Sequence, residues 1–119
     1  MDQNAKIIAK IITPNGKPLA EGTTVMVFDE DWLTDDDMGT TKLNEEGKLE
    51  LIFNMSVMRD TDSPLETRPD IYVVVKSGKF TGYRSATLDE VEILREDPVT
   101  GFTYATRDLG EIVVHPPQS

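Results

Sequence analysis

The apolar residues of this chain come in short blocks, alternating or continuous, and turn-forming residues close off each block. AKIIAKII (5–12) is rich in β-branched isoleucine and runs into Pro14, Asn15 and Gly16, which are strong turn formers. TTVMVFD (23–29) sets Val25, Val27 and Asp29 against Met26 and Phe28, the period of a half-buried strand. TTKL (40–43) and LELIF (49–53) flank the hairpin turn NEEGK (44–48), and Leu49, Leu51 and Phe53 share a face. IYVVV (71–75) has no polar alternation, as expected of a central strand. SGK (77–79) turns into a strand FTGYRSATL (80–88), DPVTG (97–101) is a turn, and GEIVVH (110–115) is a last strand. Residues 54–69 read as a long loop, and Thr87 to Glu90 as a capping box that opens a short helix to Glu96 or gives way to a strand. The expectation is all-β: an antiparallel β-sandwich of seven or eight strands with at most one short helix. Its 119 residues suit one domain, placed at 1–115, with a polar tail at 116–119.

One segment stands apart. In FDEDWLTDDDMG, six of the nine residues from Asp29 to Asp37 carry carboxylates and none is basic. Like charges this close repel, so the loop is either fully solvated or organised around a cation. Calcium takes about six to eight oxygen ligands, often from loop aspartates. Asp29 and Asp31 lie on the same side of an extended chain; Asp35, Asp36 and Asp37 return on the far side. Gly39 lets the chain bend into the next strand. The segment is not an EF-hand, because Leu33 and Thr34 stand where that motif needs a third oxygen ligand and then glycine. Asp70, just before IYVVV, is placed to complete the set if loops gather at one end of a sandwich. Trp32 is either tucked against the sandwich edge or exposed as a contact residue.

Charge and composition remove other classes. The net charge of −10, from 22 acids and 12 bases, argues against nucleic acid and a bare anionic membrane as partners. With no cysteine, disulfides and thiolate metal sites are excluded. MDQNAKII lacks the basic and long apolar segments of a secretory leader; the expectation is a cytoplasmic protein, or one exported with its leader removed.

The order of motifs resembles transthyretin-like and carboxypeptidase-regulatory-like domains. Ala9 to Asp31 is similar to their opening, with Gly16, Pro18, Leu19, Val25, Val27 and Asp29 as the matching pieces. The likeness continues through DDDMGTTKLNEEGKLELIF, RPDIYVVVKSGK and DLGEIVV (108–114), and it implies a seven- or eight-stranded β-sandwich. The family's hydrolase branch, the hydroxyisourate hydrolases, needs several histidines and a C-terminal Tyr-Arg-Gly-Ser. Here there is one histidine, His115, and Tyr83-Arg84-Ser85-Ala86 lies well before the end, so that activity is not carried over. Asp29, Asp31, Asp37 and Gly39 also resemble the third calcium loop of protein-kinase-C-type lipid-binding domains, with Asp70 in RPDIYV as a further ligand. The two loops occur in reversed order here, which points to a similar site on a different sandwich.

The leading expectation is a non-catalytic binding module whose Asp-rich loop binds calcium and orders neighbouring loops for a protein partner. The alternative is a metal-independent structural or adhesive domain that self-associates through sheet edges. Two lesser alternatives are a hydrolase using paired carboxylates and a domain that docks on membranes with calcium.

Overall fold

The computed structural model describes residues 4–30, 35–54, 70–89, 91, 94–97, 101–104 and 106–117. Nine strands follow in chain order: β1 (Asn4–Ile12), β2 (Thr24–Asp29), β3 (Asp36–Lys42), β4 (Lys48–Asn54), β5 (Ile71–Val75), β6 (Arg84–Ser85), β7 (Leu94–Asp97), β8 (Gly101–Tyr104) and β9 (Thr106–His115). Seven form one sheet in the order β3-β2-β5-β6-β9-β1-β4, and β7 and β8 pair as a separate hairpin. The large sheet curls until its edges approach: Thr41 Oγ1 on β3 donates to the Glu50 carbonyl on β4 at 3.3 Å. None of the described residues is helical, so none lies in a helix able to cross a membrane.

The alternating pattern builds the core directly. Val25 and Val27 of β2, Ile71, Val73 and Val75 of β5, Leu49 of β4 and Val114 of β9 are all fully buried. Ile7 and Ile11 of β1 and Met38 of β3 join the same cluster. Burying each such aliphatic side chain contributes about 1.5–3 kcal/mol.

The sheet departs from the antiparallel expectation at one pairing. β1 and β9 run parallel, from Lys6 opposite Thr106 to Ile12 opposite Val113, with a register shift between Ile8 and Lys10. Parallel neighbours need a long crossover, and the whole intervening chain supplies it.

Three further expectations are corrected. β3 starts at Asp36, so the acidic segment is partly strand. A register shift sets Val27 opposite Gly39 and Phe28 opposite Asp37, leaving Met38 as the extra residue of a bulge, turned into the core. Gly39 adopts φ +142°, and a Cβ there would meet Leu51 Cδ1 at 2.9 Å. The strand expected over 80–88 is broken. Gly78 and Gly82 have positive φ and shape a turn in which Tyr83 N–H reaches the Phe80 carbonyl. Val74 then pairs with Arg84 and Ile71 with Leu88, which leaves one extra residue on the second chain. Ser85 bridges that irregularity: its buried hydroxyl accepts the Val73 N–H at 2.9 Å and donates to the Ala86 carbonyl at 2.9 Å. The helix opened at Thr87 is not formed there. Leu88 bridges to Ile71, Thr87 Oγ1 donates to the Glu30 carboxylate, and Leu94–Asp97 is a strand. The loop expected at 54–69 lies outside the described residues apart from Asn54, which ends β4.

The hairpin turn 44–48 forms as expected. Gly47 N–H donates to the Asn44 carbonyl, and Asn44 Oδ1 accepts from the N–H groups of Glu46 and Lys48. Gly47 has φ +76°, and a Cβ would fall 2.7 Å from Pro18 Cβ and 3.1 Å from the Leu19 carbonyl oxygen. Gly16 has φ +87° but open space around it. Gly47→Ala is therefore expected to cost about 3 kcal/mol or more, from backbone strain plus the clash. Gly16→Ala carries the strain alone, about 1–2 kcal/mol. Urea unfolding of the two variants checks the order, and equal losses would contradict it.

Candidate functional site

The acidic residues sit where three chain segments end together. Asp29 closes the inward row of β2 after Val25 and Val27 and is only 5 % exposed. It pairs with Asp36 on one side and with Ile71 on the other, so the starts of β3 and β5 flank it. Asp70 immediately precedes β5. Its backbone N–H donates to Asp29 Oδ1 at 3.1 Å, and its carbonyl accepts the Glu30 N–H at 2.7 Å. These two bonds clamp β2 to β5 at the acidic end. Removing the Asp29 acceptor would cost the chain this part-buried hydrogen bond, about 0.5–1.5 kcal/mol.

The structure thus brings Asp29, Asp35, Asp36, Asp37 and Asp70 to one end of the sheet. Asp31 and Trp32 lie outside the described residues. Protein donors engage several of the acids. Asp35 accepts a hydrogen bond from the Tyr72 hydroxyl, and Asp37 Oδ1 accepts the Gly39 N–H at 2.9 Å, a local turn that supports the β3 bulge. Asp29, Asp35 and Asp70 make further interactions. Among the described residues no three acidic or histidine side chains converge as a ready-made ligand set. What the arrangement offers is carboxylate oxygens from separate segments at one end, with Asp29 desolvated beneath them.

Beside the acids runs a stacked row absent from the sequence expectations. Tyr72 projects from β5 on the face opposite Ile71 and Val73, yet it is 5 % exposed. Phe28 of β2 stacks on it at 5.1 Å between ring centroids, with planes 18° apart. Arg84 of β6 flanks it on the other side, its guanidinium carbon 3.9 Å from the ring centroid. Alternation puts Phe28 and Tyr72 on the outward faces of their strands, but their contact depends on the pairing of β2 with β5.

Burial pushes the Tyr72 hydroxyl up to about 12, helped by its hydrogen bond to Asp35 and the Asp35 charge; Arg84 opposes the rise. An ordinary unfolded tyrosine releases its proton near 10. Between about 10 and about 12 the folded chain therefore binds a proton that the unfolded chain has lost. Stability attributable to Tyr72 is complete below that window and disappears as pH rises through it. Tyrosinate absorbance should show a late-ionising phase from Tyr72. Tyr72→Phe should remove that late phase, and Asp35→Asn should bring it to lower pH. A late phase that survives Tyr72→Phe would refute the assignment.

No family model matches the chain. No curated relative matches it either. Among solved structures the chain is similar to a 9R-lipoxygenase from Cyanothece, with a TM-score of 0.58 and 17 % identity over 94 % of this chain. It spans only 16 % of that protein. It is also similar to a DUF3823-family protein from Parabacteroides merdae, with a TM-score of 0.52 and 6 % identity over 98 % of this chain and 48 % of the other. At such identities the likeness is one of fold: a β-sandwich-type, β-rich domain that occurs within longer chains.

Proposed function

We propose that this chain is a non-catalytic binding module of transthyretin-like type whose acidic end binds calcium. The observation that carries the reading is the gathering of Asp29, Asp35, Asp36, Asp37 and Asp70 from three chain segments, clamped by the Asp29–Asp70 contact. Asp31 belongs to the same proposed set. A calcium ion would offset the mutual repulsion of these carboxylates and tie the β2–β3 connection to the start of β5. Ordered loops at that end would then present a surface to a protein partner. The lipoxygenase activity of the structural neighbour is not part of the proposal, because the chain spans so little of that enzyme.

A second reading has its own support. Asp29, Asp35 and Asp37 each accept a hydrogen bond from this chain, so the acids have structural work without a metal. Ile52, on β4 at the edge of the sheet order, is 61 % exposed and offers an apolar contact point. On this reading the chain is a metal-independent structural or adhesive domain that associates through its sheet edges.

Calorimetric titration of metal-stripped protein, with thermal melts and a magnesium control, separates the two. At calcium about 100 times Kd the folded state should gain about 2.7 kcal/mol, a rise in Tm on the order of 10 °C. The double variant Asp29→Asn, Asp31→Asn should fold and lose that gain, since asparagine at 29 still offers an oxygen to the Asp70 N–H. Absence of heat and of any Tm shift up to millimolar calcium would reject the calcium reading in favour of the second.

A further inference from the structure

Where β6 meets the end of β9, the surface holds an open-sided groove of about 540 Å³. Pro116, Pro117, Ala86 and Gly82 form its apolar walls. Its polar side chains are Arg84, His115 and Ser85. Ser85 is occupied, since its hydroxyl already serves the Val73 N–H and the Ala86 carbonyl. Arg84 and His115 face each other as a direct cross-strand pair. Both side chains can donate N–H hydrogen bonds, so the pair offers two donors to one acceptor group at the groove.

Arg84 is also held in place. Its guanidinium lies over Tyr72, whose ring is stacked on Phe28 and whose hydroxyl is bonded to Asp35. Stacking uses the face of a guanidinium and leaves its fork of N–H donors pointing outward in the plane, the geometry that grips a carboxylate with two bonds. A side chain already fixed loses less rotamer freedom when it binds.

We propose that this groove binds a small carboxylate with an apolar body, its carboxylate held by Arg84 and His115 and its body lying against Ala86, Pro116 and Pro117. The net charge of −10 sets the selectivity. The field of the whole chain repels anions, so a bare anion gains little, and burial of an apolar part must supply the rest. The proposal does not require calcium, though the support of Arg84 runs through Tyr72 to Asp35, one of the proposed calcium ligands.

His115 is the chain's single histidine, so its imidazole Hε1 gives one assignable proton NMR signal. That signal is followed at constant pH and ionic strength while benzoate, acetate or sulfate is added. Benzoate should shift it saturably, and acetate and sulfate should act at least about tenfold more weakly. Arg84→Gln, at an exposed position, should weaken benzoate binding about tenfold or more. Ala86→Phe keeps both polar groups and fills the groove, so it should block benzoate while the spectrum elsewhere stays folded. A response to benzoate that is linear, equal to that of acetate, or unchanged in Arg84→Gln and Ala86→Phe would overturn the proposal.

Discussion

The pairing of β2 with β5 is the contact on which the rest of this molecule leans. Val25, Val27, Ile71 and Val73 meet across it, all 0 % exposed, and β3 and β6 attach to its two sides. The same pairing decides what lies on the other face. Because strand side chains alternate, an inward row of aliphatics forces Phe28 and Tyr72 outward and opposite each other. It also decides where the acids go. Asp29 continues the inward row, so the strand ends by placing a carboxylate where a valine would otherwise lie. That position is tolerable because the Asp70 N–H meets the carboxylate.

The acidic stretch is therefore two things at once. Asp29, Asp36 and Asp37 lie in strands, and their backbone positions follow from hairpin register rather than from charge. Repulsion along the stretch is reduced by dividing it: Asp29 turns inward to the Asp70 N–H, Asp35 turns to Tyr72, and Asp37 folds back on Gly39. The bulge at Met38 takes part in that division. By accepting one extra residue, β3 sends Met38 into the core.

Strand existence was readable from sequence because the period-two pattern is local. β1, β2, β4 and β5 lie within a residue or so of their expected bounds. The failures share one cause, which is information carried by distant partners. The turn at SGK (77–79) was readable, but not its continuation through Gly82 into the expected strand, nor that Ser85 would lend its side chain to Val73. Parallel pairing of β1 and β9 depends on the path of the entire chain between them. At the site, the nearness of Asp70 to Asp29 was legible from strand-end reasoning, and the structure joins them through backbone. The Asp35–Tyr72 bond was not, because it links residues far apart in sequence and depends on which way the hairpin connection turns.

One continuous row crosses the outer face of the sheet: Asp35, Tyr72 and Arg84, with Phe28 beside them and His115 as the last cross-strand neighbour. Its order is chemically sensible. A carboxylate fixes the phenol, the ring supports the guanidinium, and the guanidinium faces the groove. A negative end and a cationic end are thereby separated across β5 and β6 by an aromatic spacer, instead of neutralising one another in a direct ion pair. Direct contact between Asp35 and Arg84 would have withdrawn both charges from solvent-facing use, at a desolvation cost to each. Interposing Tyr72 keeps the two charges one ring apart, with the Asp35 carboxylate bonded to the phenol and the guanidinium laid on the ring face.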